Sequence, residues 1–373
     1  MKIAVNTRLL QKDKLDGIGW FSYESLKRVT QQHPEVEFLF IFDRPYDSSF
    51  IFGSNVRGVS LFPPTRHPLL YLSWFEVSLT RLLARERPDL FLSPDGYLSL
   101  STSIPSLPVI HDINFHHRPA DLPFAYRNYY NYFFPRFAKK ATRIATVSEY
   151  SKADIVNCYH INPNKIDVLY NGANTVYSPV SDSEKQYTKS IYANNADYFI
   201  FIGMLHPRKN VPLMMRAYDE YRKRSGLSEK LLIVGEKMFM DKEINTVLKE
   251  LQYRDDIIFL GRFGPEHLRL ILASASALLF VPLFEGFGIP VVEAMYCDVP
   301  VICSNVTSLP EVAGEAALFA DPNSVDSVAN AMLRLSKEEG LSISLIEKGR
   351  EQRQHFSWDK TAERLWACIE NCL

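Results

Sequence analysis

Short apolar runs rich in Val, Ile, Leu and Phe recur along the chain, separated by longer stretches in which apolar positions return every three or four residues. The first pattern predicts buried strands and the second amphipathic helices, so their alternation predicts an α/β protein with parallel strands. In the first half the predicted strands are Lys2–Val5, Glu37–Phe42, Asp89–Leu92, Pro108–His111, Arg143–Val147 and Ile166–Tyr170. In the second half they are Tyr198–Ile202, Leu231–Val234, Ile257–Leu260, Ala277–Val281, Pro300–Cys303 and Ala317–Phe319. Each set is sufficient for its own doubly wound, Rossmann-like sheet. The polar stretch between them, opened by Ser178-Pro179, reads as an interdomain linker over 179–195. The expected domains are therefore 1–178 and 196–357. A last helix over 358–373 is capped by Ser357 and carries Trp358, Leu365, Trp366, Ile369 and Cys372 at helical spacing.

At 373 residues the chain exceeds the size at which one core usually keeps growing, which supports the division in two. Forty-two Lys and Arg against 43 Asp and Glu supply no global field for wrapping nucleic acid, and no nucleic-acid partner is expected. The five cysteines, Cys158, Cys297, Cys303, Cys368 and Cys372, form no CxxC set with a histidine partner. Neither a zinc site nor a disulfide framework is expected from their spacing, and reduced thiols in a cytoplasm are the simple reading. The opening Met1-Lys2-Ile3-Ala4-Val5-Asn6 is too short an apolar run for a signal peptide, and no run is long enough to span a bilayer. A cytoplasmic protein is expected.

In open α/β sheets ligands bind beyond the carboxyl ends of strands, so the residues just after each run matter most. The richest such place is Phe284-Glu285-Gly286-Phe287-Gly288-Ile289-Pro290-Val291-Val292-Glu293. Glycines let backbone amides approach a ligand, Pro290 marks a first helical turn, and a helix N-terminus is a seat for a diphosphate. Glu285 and Glu293 can accept hydrogen bonds from sugar hydroxyls, or simply favour the helix dipole. A second place, Gly203-Met204-Leu205-His206-Pro207-Arg208-Lys209-Asn210, offers a guanidinium and an ammonium before a helix that Asn210 can cap. Alone it reads equally as a solvated turn; in the same half as the glycine–carboxylate loop it reads as phosphate neutralisation. A third, Asp16-Gly17-Ile18-Gly19, sits before a helix expected near Phe21 and has neither the third glycine of the dinucleotide fingerprint nor a P-loop Lys. A tight turn explains it as well. The fourth, Val109-Ile110-His111-Asp112, puts a proton-shuttling or hydrogen-bonding histidine with Asp112 near it, or an ordinary polar strand end.

These four sites, in this order, resemble glycosyltransferase family 4, a retaining family with the GT-B fold, and the match runs along almost the whole chain. Its most specific part is Glu285 and Glu293 flanking the Gly286-Phe287-Gly288 loop. Supporting pieces are Pro207-Arg208-Lys209-Asn210, Thr146-Val147-Ser148-Glu149 with Ser151-Lys152, Asn171-Gly172, Pro300-Val301-Ile302 and Phe356-Ser357-Trp358. The resemblance implies two Rossmann-like domains facing a central cleft, an acceptor domain and a donor domain, with the last helix crossing back to the first. It implies that Glu285 holds the donor sugar and Glu293 the ribose. Gly286, Phe287, Gly288 and Ile289 would present backbone to sugar and phosphate, and Gly203, Arg208 and Lys209 would face the leaving diphosphate. Gly17 and Gly19 would close the cleft, and His111 with Asp112 would lie beside the sugar. Met204 departs from the pattern, since many members carry Arg there, which leaves Arg208 as the substitute.

The implied activity is retaining transfer of a hexose from a nucleotide-diphosphate sugar to a glycan or lipid-diphosphate-linked acceptor in cell-surface polysaccharide synthesis. GDP-mannose is the first expectation for the donor, by likeness to mannosyltransferases of polysaccharide assembly. A sugar-nucleotide epimerase on a similar fold and a non-catalytic binding protein are the alternatives. No metal is expected, because Arg208, Lys209 and the helix end can take the leaving-group charge and there is no Asp-x-Asp triplet. Finally, Phe124 to Arg143 predicts a helix with a core stripe of Tyr126, Tyr130, Phe133 and Phe137, interrupted near Pro135. Off that stripe lie Tyr129, Tyr132, Arg136, Lys139, Lys140 and Arg143, which read either as a solvated basic face or as a peripheral contact with an anionic membrane.

Overall fold

The computed structural model describes residues 1–65, 67–236 and 241–373, with the chain divided into two units. Met1–Gly172 together with Ser357–Leu373 forms the first, and Ala173–Phe356 the second.

The first unit is built on five parallel strands: β1 (Lys2–Asn6), β2 (Glu37–Phe42), β3 (Val56–Ser60), β4 (Leu90–Ser93) and β5 (Ser106–Pro108), in spatial order β3-β2-β1-β4-β5. A short parallel pair, β6 (Ile144–Thr146) and β7 (Ile166–Val168), adjoins it through a bridge from Val109 to Ala145. β1, β2 and β4 are nearly continuous buried apolar runs, as expected of strands covered on both faces. β3 is not foreshadowed by the sequence pattern. Its Val-Arg-Gly-Val-Ser is half polar because it is an edge strand, with Arg57 and Ser60 facing solvent. The predicted strand at Pro108–His111 is displaced, since the ladder ends at Pro108 and frees His111 as a loop residue.

The Gly17–Gln32 helix and the last helix, Trp358–Glu370, pack on each other within this unit. Ser357 caps the latter through the Lys360 N–H, and Trp358, Ala362, Leu365 and Ile369 are buried, matching the helical spacing read from the sequence. Gly172 explains how the chain passes here: a Cβ at this position would lie 2.3 Å from the Trp358 backbone nitrogen. Thr361 Oγ1 donates to the Tyr170 carbonyl at 2.5 Å, and Arg28 Nε bonds Asp359 at 2.6 Å. Trp366, expected in the buried stripe, instead stacks on His33 with ring centroids 3.4 Å apart and stays partly exposed.

The second unit has six parallel strands: β8 (Tyr198–Ile202), β9 (Lys230–Val234), β10 (Ile257–Gly261), β11 (Ala277–Phe280), β12 (Val301–Ser304) and β13 (Ala317–Ala320). Their order is β10-β9-β8-β11-β12-β13, so the winding direction reverses between β8 and β11. Gly235, after β9, has φ +152°, and a Cβ there would strike the Gly203 carbonyl at 1.8 Å. Only glycine lets these two strand ends close up.

Two expectations about the division change. The 179–195 stretch is not an extended linker: Ser181 and Glu184 form a capping box that starts a helix over Asp182–Tyr192. The boundary also falls after Gly172, because Arg269 holds the Ser178 and Pro179 carbonyls at 3.2 and 3.1 Å and ties that segment to the second unit. No described helix is long and apolar enough to cross a membrane.

Candidate functional site

In the second unit the carboxyl ends of β8 and β11 meet where the strand order reverses, the place where open α/β sheets bind ligands. After β8, His206 caps a single 3₁₀ turn, Pro207–Lys209, its Nδ1 accepting from the Arg208 N–H at 3.3 Å. After β11 comes the Phe284–Gly288 loop. The two segments are sewn together: Leu283 N donates to the Arg208 carbonyl at 2.8 Å, and Arg208 Nη1 donates to the Phe284 carbonyl at 3.1 Å. Asn210 does not cap the next helix as expected. It adopts a left-handed conformation at φ 62°, and its Nδ2 holds the Val281 and Pro322 carbonyls at 3.1 and 2.7 Å.

Arg208 and Lys209 both reach Glu285. Arg208 Nη1 lies 2.9 Å from Glu285 Oε2, and Lys209 Nζ forms an ion pair with the same oxygen. Lys209 also sits 4.8 Å over the Phe280 ring and is only 8% exposed, which sets aside the solvated-turn alternative for this residue. Burial pushes the Glu285 carboxyl up, but the charges of Lys209 and Arg208 and their hydrogen bonds outweigh it and hold it below the usual range. Two cations thus converge on one carboxylate at the strand ends.

Gly288, at φ 105°, precedes the Ile289–Tyr296 helix, and Pro290 lies in its first turn as predicted. A Cβ on Gly288 would meet Leu309 at 2.5 Å, so glycine is required on both counts. Glu293 sits inside this helix. The buried Tyr177 hydroxyl donates to it, yet burial raises its carboxyl to about 7.

The sequence reading missed three supports of this loop. Thr307 Oγ1 accepts from Glu285 N at 3.3 Å, and Ser308 Oγ donates to the Glu285 and Phe287 carbonyls at 2.9 and 3.1 Å. Tyr177 is the third. Thr307 and Ser308 follow β12, and the rule about strand ends applied there was the available signal; Tyr177 lies at the end of the predicted first domain, after no strand, and left none.

The other predicted residues lie in the first unit. Asp16, Gly17 and Gly19 form no separate loop. The helix begins at Gly17 rather than near Phe21, because Asp16 caps it by accepting the Gly19 N–H at 2.9 Å. His111 Nε2–H donates to the Pro94 carbonyl at 2.8 Å, and the ring packs edge-on against Phe21. Burial lowers its pKa, so the ring is neutral at pH 7 with Nδ1 as an acceptor rather than a donor. Asp112 is occupied elsewhere, accepting from Asn114 N at 2.9 Å and from Asn114 Nδ2 at 2.5 Å. The Thr-Val-Ser-Glu motif proves to position His111. Thr146 Oγ1 bonds the Ile110 carbonyl at 2.7 Å and Ser151 Oγ bonds the His111 carbonyl at 3.1 Å, while Ser148 caps the Glu149–Tyr159 helix.

Two further placements complete the picture. Cys158 lies 3.9 Å from His117 Nε2 and 3.4 Å from Asp154 Oδ1, a grouping of distant residues that sequence spacing does not show. Burial and Asp154 push the Cys158 thiol up to about 11, so it is a protonated donor. The aromatic–basic helix runs unbroken over Phe124–Lys140 through Pro135; of the predicted stripe it buries Phe137 and packs Tyr126, Tyr130 and Phe133 partly buried against the core, and it buries Tyr129 and Phe134 besides. Its positive face is divided: Arg143 pairs with Asp167, Lys140 bonds the Thr102 carbonyl at 2.7 Å, and Arg136 lies 3.5 Å over Tyr132.

Comparison with known proteins agrees with this architecture. The pattern described as "Glycosyl transferases group 1" matches residues 182–352, and that of "Glycosyltransferase Family 4" matches 16–177. O-antigen chain mannosyltransferase B of Escherichia coli is 28% identical over 96% of this chain and 97% of its own. Among solved structures, Anabaena HepE in complex with UDP and glucose aligns over 99% of both chains with a TM-score of 0.77 at 16% identity. Sucrose-phosphate synthase from Thermosynechococcus elongatus aligns over 99% of this chain and 98% of its own with a TM-score of 0.81, also at 16% identity. The two halves matched in chain order, on two parallel sheets of the GT-B kind, show that this chain belongs to glycosyltransferase family 4.

Proposed function

We propose that the protein transfers a mannosyl residue, with retention, from GDP-mannose to a glycan or lipid-diphosphate-linked acceptor during assembly of a cell-surface polysaccharide. The observation that carries this reading is the convergence of Arg208 and Lys209 on Glu285 at the reversal point of the second sheet. The likeness to an O-antigen mannosyltransferase along nearly the whole chain supports the choice of sugar and acceptor.

In this scheme the diphosphate draws Arg208 and Lys209 partly away from Glu285, whose carboxylate turns to the donor-sugar hydroxyls. Gly286, Phe287, Gly288 and Ile289 offer backbone amides at the helix N-terminus, and Glu293 receives the ribose. As C1–O breaks, negative charge gathers on the diphosphate, where the two cations stabilise it. The acceptor hydroxyl forms its bond to C1 on the face the diphosphate leaves, and its proton passes to a diphosphate oxygen.

The test is a panel of nucleotide sugars, with GDP-mannose, UDP-glucose and UDP-galactose as donors, run with a chelator and without. NMR of the product reads the anomeric configuration. An α-mannoside from GDP-mannose, formed equally in both conditions, is the expected result. Turnover of a UDP-sugar instead would replace the donor assignment, a β-product would overturn retention, and an isomerised free donor would mark an epimerase.

A further inference from the structure

His117, Asp154 and Cys158 bring three kinds of metal-binding atom together at the surface of the first unit. Asp154 and Cys158 stand four residues apart on the Glu149–Tyr159 helix, one turn above the other on the same face. His117 comes from the Asn114–His117 helical turn, which lies alongside, with the His116 ring edge-on to Tyr159 at 6.2 Å between centroids. His117 Nε2 is 2.7 Å from Asp154 Oδ1, Cys158 Sγ is 3.4 Å from the same oxygen, and Sγ and Nε2 are 3.9 Å apart. Bonds of about 2.0–2.3 Å at tetrahedral angles put the ligand atoms of a zinc ion about 3.3–3.6 Å from one another. The Cys158–Asp154 side of the triangle already fits. The His117–Asp154 side must open from 2.7 to about 3.3 Å, and the Cys158–His117 side must close from 3.9 to about 3.6 Å. Both shifts are movements of Nε2, which the exposed His117 makes by a small turn of its own side chain.

We propose that this group binds one divalent transition-metal ion of the zinc class, which clamps the Asn114–His117 turn to the Glu149–Tyr159 helix. One thiolate sulfur, one imidazole nitrogen and one carboxylate oxygen form a donor set for zinc, whereas magnesium and calcium take oxygen ligands. A divalent charge also suits the group. Thiolate and carboxylate together carry two negative charges, so the occupied site is neutral. On binding, the Cys158 thiol releases its proton to solvent, and His117 presents the Nε2 lone pair with its remaining proton on Nδ1. Water completes the tetrahedron, and an ion reaches the site directly, since the His117 side chain is 35% exposed. The same distances set aside a nucleophilic Cys–His pair, because the Asp154 carboxylate accepts from both partners. None of the three residues belongs to the Arg208–Lys209–Glu285 cluster, and the ion adds stability to the first unit without taking part in transfer.

The test reads metal binding directly, with no sugar present. Full-length protein is stripped of metal, moved to chelator-free buffer with a phosphine reductant, and titrated with Co2+, whose colour reports its ligands. One ion per chain should bind, giving a thiolate-to-cobalt charge-transfer band and d–d bands of tetrahedral strength, and Zn2+ should bleach both. The other four cysteines are buried, so Cys158→Ser should abolish the charge-transfer band. His117→Gln and Asp154→Asn should each weaken Co2+ affinity by at least about tenfold, the loss that even outer partners of a metal site cause. Zn2+ at about a hundredfold excess over its Kd should raise the wild-type Tm by about 5 °C and leave that of Cys158→Ser unmoved. His117 is exposed, so His117→Gln carries the test if Cys158→Ser does not fold. A band that survives Cys158→Ser, unchanged affinity in a folded His117→Gln, or a wild-type Tm indifferent to Zn2+ overturns the site. So does the absence of saturable Co2+ binding.

Discussion

Lys209 and Glu285, 76 residues apart in sequence, share an ion pair that is almost closed to solvent and is completed by Arg208. The lysine therefore has two tasks, holding an anion and neutralising a buried carboxylate. Lys209→Ala should lower kcat/KM by about tenfold to a hundredfold and also cost about 3 kcal/mol of stability, the usual result of stripping one partner from a buried pair. Lys209→Ala combined with Glu285→Gln should regain most of that stability while transfer stays lost. Denaturant unfolding and initial rates on the single and double variants check both halves. A Lys209→Ala variant with wild-type kcat/KM would sink the assignment.

Glu293 makes stability depend on pH. Its folded-state value of about 7 lies above its ordinary 4.5, so the neutral form is favoured by folding. This contribution is fully present below about pH 4.5 and is lost as pH rises through about 7. Tm should accordingly fall more steeply between pH 5 and 8 in the wild type than in Glu293→Gln, which has no carboxylate to ionise. Parallel Tm curves for the two proteins would contradict the raised value. The same variant should bind a plain nucleotide diphosphate more weakly than Glu285→Gln does, since only Glu293 is assigned to the ribose.

Gly172 is predicted to be intolerant of any side chain. Its Cβ position overlaps the Trp358 backbone, which cannot rotate out of the way. Gly172→Ala should destabilise the first unit by about 2 kcal/mol or more and expose the C-terminal helix to proteolysis. Limited proteolysis followed by mass spectrometry would show early cuts near Ser357. A cleavage pattern and Tm equal to wild type would mean the close approach is not rigid.

Membrane contact through the Phe124–Lys140 helix now rests on fewer groups than the sequence offered. Arg143 and Lys140 support the fold, whereas Phe124 and Tyr132 are 71% and 53% exposed, with Arg136 and Lys139 nearby on the exposed surface. The informative variant is therefore Arg136→Ser with Lys139→Ser. If the face docks on an anionic leaflet, it should lose most co-sedimentation with phosphatidylserine vesicles at low salt while keeping transfer to a soluble acceptor. Wild-type protein that ignores such vesicles would end the proposal.

Local chemistry made much of this molecule legible in the sequence. Continuous apolar runs announced the buried strands, and Ser357 announced the last helix. Pro290 and Gly288 announced the Ile289–Tyr296 helix, because a missing N–H and a positive φ leave a mark in residue type. The half-polar edge strand β3 left no such mark, and the capping box of the Asp182–Tyr192 helix was passed over inside a polar segment. What only the tertiary structure decided were partnerships between distant residues: Lys209 with Glu285, Tyr177 with Glu293, Ser151 with the His111 carbonyl, Arg8 with Asp95. Sequence spacing records neighbours within a helix turn or a strand, because backbone geometry repeats over a few residues. It holds no record of which strand ends a crossover brings together, and the burial and pKa of every group at these sites follow from that crossing.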